Sequence, residues 1–124
     1  MEEGSIKHFT GLLAWKKNHE FVKMVYEITR RFPPDEIYGL TSQLRRAASS
    51  ITANIAEGYG RFYFKDKVRF YYQARGSNTE CQNHIILAHE LGYIDKENFE
   101  QLKIVVFEGY KILSGLINAI NQME

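Results

Sequence analysis

Residues 42–61 read SQLRRAASSITANIAEGYGR, and the fold depends on how this stretch is understood. With Leu40 just before it, Leu44, Ala47, Ala48, Ile51 and Ile55 recur at steps of three and four, which is the period of one buried helix face. The residues beside that stripe are nearly all small or polar. Gly58 and Gly60 stand where such a helix would stop and turn.

The neighbouring segments share the period. Upstream, LLAWKKNHEFVKMVYEITRRF (residues 12–32) carries Leu12, Trp15, Val22, Val25, Tyr26, Thr29 and Phe32 on one face. Pro33-Pro34 ends it, because proline donates no backbone hydrogen bond and pushes the preceding residue out of the helical region. Thr41 or Ser42 can cap the next helix. Downstream, Phe70, Ala74, Ser77, Cys81, Ile85 and Ala88 mark a third helix that stops at Leu91-Gly92. Asp95 is placed to cap a fourth, in which Phe99, Leu102, Val106, Gly109, Leu113, Leu116 and Ile120 form a heptad seam.

No segment shows the two-residue alternation of a half-buried strand, and the connections are short. The expected fold is all-α, one domain over residues 1–124, an antiparallel up-and-down four-helix bundle with helices near 11–32, 40–61, 65–91 and 95–122. Gly76, Gly109 and Gly115 then fall inside helices, where each costs about 1 kcal/mol relative to alanine. Close approach of a neighbouring backbone is the expected compensation.

Composition places the chain among soluble globular proteins: 44% of its 124 residues are hydrophobic, 25% are charged, and two are proline. No apolar run approaches a membrane span, and the amino terminus MEEGSIKHF lacks the layout of a leader peptide. The single cysteine, Cys81, excludes an internal disulfide framework and agrees with a reducing compartment, so a cytoplasmic location is expected.

The net charge of +1 hides a segregation. Residues 45–75 hold seven basic residues against Glu57 and Asp66, whereas residues 76–124 hold three basic residues against seven acidic ones. Such asymmetry suits either a nucleic-acid footprint or two complementary surfaces for self-association. The basic segment is also rich in rings: Tyr59, Phe62, Tyr63, Phe64, Phe70, Tyr71 and Tyr72. Cations interleaved with aromatics can hold phosphates while bases stack, although a helical bundle also needs rings for its core.

Several chemistries find no support. Gly58-Tyr59-Gly60 follows no strand, precedes no Gly-Lys-Ser/Thr, and sits at a helix end whose carbonyls repel phosphate. Cys81 and His84 have ligand-like spacing, as do Glu80 and His84, but no second cysteine and no pair of Glu-x-x-His motifs completes a metal set. No local signature joins Ser49, Ser50, Ser77 or Cys81 to His19, His84 or His89 as nucleophile and base. No enzymatic activity, metal or cofactor is expected. Asn54 and Glu57 are one turn apart, as are Ser77 and Glu80, and across a short antiparallel hairpin the two pairs are expected to come within reach of each other. With Arg45, Arg46 or Arg61 as partners, they are expected to form a structural polar network that fixes helix register or a subunit contact, because a buried carboxylate must be paired.

The order of these signals resembles the four-helix-bundle family of the 23S rRNA intervening sequences. The resemblance rests on Leu12-x-x-Trp15, His19-Glu20, Val25-Tyr26, Thr29, Phe32-Pro33, the run Glu36-x-Tyr38-Gly39-Leu40-Thr41-Ser42-Gln43-Leu44-Arg45-Arg46-Ala47-Ala48, then Asn54-Ile55-Ala56-Glu57-Gly58, Ala74-x-Gly76-Ser77-x-x-Glu80 and Leu91-Gly92-Tyr93. It implies small bacterial bundle proteins that assemble as ring-like homopentamers. The family also looks related to accessory proteins of diversity-generating retroelements, which bind nucleic acid and a reverse transcriptase. No catalytic residues come with it. The aromatic turn Phe62-Tyr63-Phe64 departs from the family pattern, where polar residues are more usual.

The expected function is therefore that of a homo-oligomer, a pentamer by the resemblance, binding RNA or single-stranded DNA through Arg61, Lys65, Lys67, Arg69 and Arg75. The alternative is a protein-interaction scaffold, for example an accessory subunit of a reverse transcriptase.

Overall fold

The computed structural model describes residues 6–123. Met1–Ser5, on which the leader-peptide reading partly rests, lie outside them. A short 3-10 turn, Phe9–Gly11, leads into α1 (Leu13–Thr29), and a second, Pro34–Glu36, precedes α2 (Leu40–Tyr59). Two more helices follow, α3 (Phe64–Glu90) and α4 (Lys96–Gln122). Backbone contacts join α1 to α2, α2 to α3, α3 to α4, and α4 back to α1, so the helices form a square bundle with up-and-down connections.

The apolar seam of residues 40–55 lies in the core as the periodicity requires, with Leu40, Leu44, Ala47, Ala48, Ile51 and Ile55 all buried. In the other helices the choice of face is right and some individual residues differ. Tyr26 points outward at 42% exposure, while Phe21 and Ile28 fill the α1 face. On α3 the buried ring is Tyr71, not Phe70. Its partner is Gly58, where an added Cβ would stand 2.8 Å from the Tyr71 ring. Gly58 thus lies within the last turn of α2 as a packing residue, and Gly60 alone forms the helix cap.

The helix ends follow local chemistry with two corrections. α1 stops at Thr29, and residues 30–32 continue in single turns up to Pro33, rather than in helix. Neither Thr41 nor Ser42 caps α2: its cap residue is Gly39, and the Glu36 carboxylate accepts the Leu40 backbone N–H at 3.0 Å. A Cβ at position 39 would stand 2.6 Å from that carboxylate oxygen, so any larger residue there would displace the Glu36 cap. At the other helix ends, Asp95 accepts from Asn98 N at 2.8 Å, and Gly92 at φ +84° closes α3 while Tyr93 N donates to Ala88 O.

Of the mid-helix glycines, only Gly109 meets a close neighbour. That neighbour is the Asn18 side chain rather than a backbone, 2.5 Å from where a Cβ would be. Gly76 and Gly115 face outward with nothing within 4 Å. The expected close approach of a neighbouring backbone is therefore not what any of the three meets within the chain: Gly109 packs on a side chain, and Gly76 and Gly115 on nothing among the described residues.

Candidate functional site

The connection between α2 and α3 is only four residues, Gly60–Tyr63, so it turns sharply and projects its side chains from one end of the bundle. Phe62 is 84% exposed and Tyr63 66%, and their rings meet edge to face at 4.9 Å between centroids. Tyr63 opens α3, its carbonyl accepting from the N–H groups of Asp66 and Lys67.

The five basic residues proposed from sequence separate into three situations. Lys65 and Arg69 lie exposed on the first turns of α3, and neither makes an ion pair among the described residues. Arg61 donates to Glu57 at 2.9 Å, one helical turn away, in a pair that water screens. The Arg61 and Arg69 guanidiniums both sit over the Phe70 ring, at 4.7 and 4.6 Å. Lys67 turns inward: its Nζ donates to Tyr59 O at 2.7 Å and so satisfies a carbonyl at the end of α2. Arg75 leaves the cluster, half-buried against α4, where it lies over Tyr72 and Tyr110 and donates to Ser114 Oγ at 3.1 Å.

Lys7 joins this end of the bundle although sequence reasoning passed over it. The Tyr59 hydroxyl donates to Ile6 O at 2.9 Å and fixes the segment that carries Lys7. Nothing local in the sequence signals that contact, which spans 53 residues.

The polar network expected from Arg45, Arg46, Asn54, Glu57, Ser77 and Glu80 does not form as one unit. Ser50 and Ser77 share a hydrogen bond of 3.0 Å between α2 and α3, and Asn54 donates to the Ser50 hydroxyl at 3.1 Å. Arg46 donates to Ser42, and Glu80 pairs with His84 at 3.1 Å. Both line a groove of about 250 Å³ with Ser50 and Ser77. Arg45 reaches the other way: its Nε donates to Thr29 Oγ1 at 2.7 Å and its guanidinium covers the Tyr26 ring, tying α2 to the end of α1. Glu57 is exposed and pairs with Arg61, so burial places no demand on it.

The fully buried polar cluster lies elsewhere. Asn18 on α1 and Asn78 on α3 are both 0% exposed at the bundle centre. Asn78 Nδ2 donates to Asn18 Oδ1 at 3.0 Å and to Val106 O at 3.1 Å; Asn18 Nδ2 donates to Ala14 O at 2.8 Å and Gly109 O at 3.3 Å. The signal was present in the sequence as asparagines in helical step with Ala14 and Phe21, and with Ala74 and Cys81.

Cys81 is completely buried, and burial, aided by the nearby Glu80 charge, pushes its thiol up to about 12. Among the described residues no three histidine, cysteine or carboxylate side chains gather as a metal set. No helix of the described residues is long and apolar enough to cross a membrane.

Residues 10–115 match the sequence pattern of the family described as 23S rRNA-intervening sequence protein. Among solved structures, the chain is similar to a crystallised protein of unknown function from the S23 ribosomal protein family of Bacteroides thetaiotaomicron. The superposition has a TM-score of 0.79 at 22% identity and covers 85% of this chain and 98% of that one, a likeness of fold. No curated protein matches this chain in sequence. Neither of these two names a reaction.

Proposed function

We propose that this chain, which belongs to the 23S rRNA-intervening sequence protein family, is a non-enzymatic bundle that assembles with copies of itself and binds RNA through its basic α2–α3 end. The observation that carries the reading is the placement of charge. The segment with seven basic and two acidic residues folds so that Lys65 and Arg69 stand exposed at one end with Arg61 beside Arg69, and Tyr59 at that end holds the segment that carries Lys7. Assembly as a pentamer, which the family resemblance suggests, multiplies that charge fivefold, and phosphate contacts add with each copy. The test is fluorescence anisotropy on labelled RNA across a salt series. The expected result is affinity that falls linearly on a log–log plot, by about one logarithmic unit of slope per phosphate contact. No complex at low salt would overturn the reading.

A second reading, a protein-interaction scaffold, is favoured by one feature of the opposite face. Between α3 and α4 lies a groove of about 350 Å³ lined by Thr79, Gln82, Phe107, Tyr110 and Lys111, and Ile86 and Ile104 are also exposed on these two helices. A subunit neighbour or a polymerase such as a reverse transcriptase would cover this apolar surface. Co-purification of a protein partner that survives nuclease treatment would favour it.

A further inference from the structure

We infer that the α2–α3 end selects unpaired nucleotides: Phe62 and Tyr63 form a stacking platform for exposed bases, while Lys65, Arg69 and Arg61 hold the phosphates on either side. The inference rests on the RNA-binding reading and narrows it to a substrate class.

Three observations combine. First, Phe62 and Tyr63 are at 84% and 66% exposure, far more than a bundle core requires, and the short turn that carries them holds them beyond the helix ends. Their rings meet edge to face at 4.9 Å between centroids, a contact that restrains each ring and leaves open ring surface for a base to stack on. Second, the cations are pre-positioned. Arg61 and Arg69 both rest over the Phe70 ring within 4.7 Å of its centroid, which limits their motion; Arg69 makes no ion pair among the described residues, Arg61 also pairs with the exposed Glu57, and Lys65 lies on the intervening helical turn. Third, the other two cations of the segment, Lys67 and Arg75, are engaged in the fold, through Tyr59 O and Ser114 Oγ.

A duplex hides the faces of its bases within its own stack, so rings on a turn gain nothing from it beyond phosphate attraction. Single strands and loops offer a free π-face at every base, and flat side chains beside a basic groove are the usual means of gripping them. A lipid surface fits less well. A helix lying in a bilayer interface needs a broad apolar face, whereas the outward face of α3 after the turn reads Lys65, Arg69, Tyr72, Gln73 and Gly76, with one large ring among charged, polar and small residues.

The experiment compares a short unstructured RNA with the same RNA annealed to its complement, using the full chain and the variants Phe62→Ala, Phe62→Trp, Tyr63→Ala and Lys65→Glu/Arg69→Glu. The expected results are tighter binding of the single strand, loss of about tenfold in that binding on Phe62→Ala or Tyr63→Ala with duplex binding unchanged, and retention on Phe62→Trp. The charge-reversed double variant weakens both. Circular dichroism melts confirm folding, which the exposed positions favour. Alanine variants that bind the single strand like the parent overturn the platform and leave the RNA reading standing. Failure of the parent to bind either RNA overturns both. Association with anionic phosphatidylserine vesicles that is lost on Phe62→Ala, with RNA binding unmoved, overturns the platform in favour of a membrane contact.

Discussion

Asn78 on α3 donates to Asn18 on α1 across the diagonal of the bundle, 3.0 Å apart and both fully buried. Diagonal helices make no backbone approach to one another in this square arrangement, so α1 and α3 meet through side chains, and this pair is a hydrogen bond between them. Each asparagine also donates to a carbonyl of α4, and Gln82 donates to Asn78 Oδ1 at 2.9 Å. Three helices are thereby held in one axial register, since a slip of one turn on any of them leaves buried amides unpaired.

Asn78→Ala removes the donor to Asn18 Oδ1 and Val106 O and leaves both acceptors buried. A loss of about 1–3 kcal/mol in unfolding free energy is expected by urea denaturation. Gly109→Ala should destabilise by a similar amount, because its Cβ would stand 2.5 Å from Asn18 Oδ1.

Gly76→Ala and Gly115→Ala carry the opposite sign. Nothing lies within 4 Å of either, so each should raise stability by about 0.5–1 kcal/mol through helix propensity alone. Denaturation midpoints give the comparison with Gly109→Ala directly. A fall in particle size by analytical ultracentrifugation on either substitution would place that helix face in a subunit contact instead.

Gly58→Ala should lower the melting temperature, with a cost of about 1–3 kcal/mol, because the new methyl meets the Tyr71 ring at 2.8 Å and Phe70 Cβ at 3.0 Å. Since Phe70 carries the guanidiniums of Arg61 and Arg69, the same change should weaken RNA binding more than its distance from solvent suggests.

Stability should fall in acid through Glu36. The Leu40 backbone N–H, and after it the Tyr93 hydroxyl at 2.8 Å, hold its carboxyl below the usual carboxylate range. The folded state therefore binds this proton less readily than the unfolded chain. The contribution is complete above the ordinary carboxylate pKa of about 4.3 and is lost as pH falls through the lower folded value. Melting curves from neutral pH down to about pH 3 should show a smaller acid loss for Glu36→Gln than for the parent. The same contact raises the Tyr93 pKa, so its share of stability is present below the ordinary tyrosine value and is lost at strongly alkaline pH.

Cys81 should resist alkylation by iodoacetamide at neutral pH in the native protein and react promptly in denaturant, because its thiol is pushed up to about 12 and fully enclosed. Rapid native labelling, followed by mass spectrometry, would contradict the packing of α3.

The amino-acid sequence by itself determined four helices, their order and most of their ends. Periodicity is a property of consecutive residues, and the stops at Gly60 and Gly92 and the cap at Asp95 act within a turn of themselves, whereas α1 ends at Thr29, ahead of Pro33. It also located the basic segment. Only the tertiary structure decided which of those cations remain available, because Lys67 and Arg75 are claimed by carbonyl and hydroxyl groups on other elements. It likewise chose Tyr71 over Phe70, since adjacent positions on a helix differ by 100° and the choice follows the space left by Gly58, 13 residues earlier. The pairing of Asn18 with Asn78 spans 60 residues and depends on the axial offset of two helices that share no loop. Local chemistry fixes what each segment becomes, whereas the side chains that meet depend on how segments slide and rotate against one another, and that is settled by packing the whole core at once.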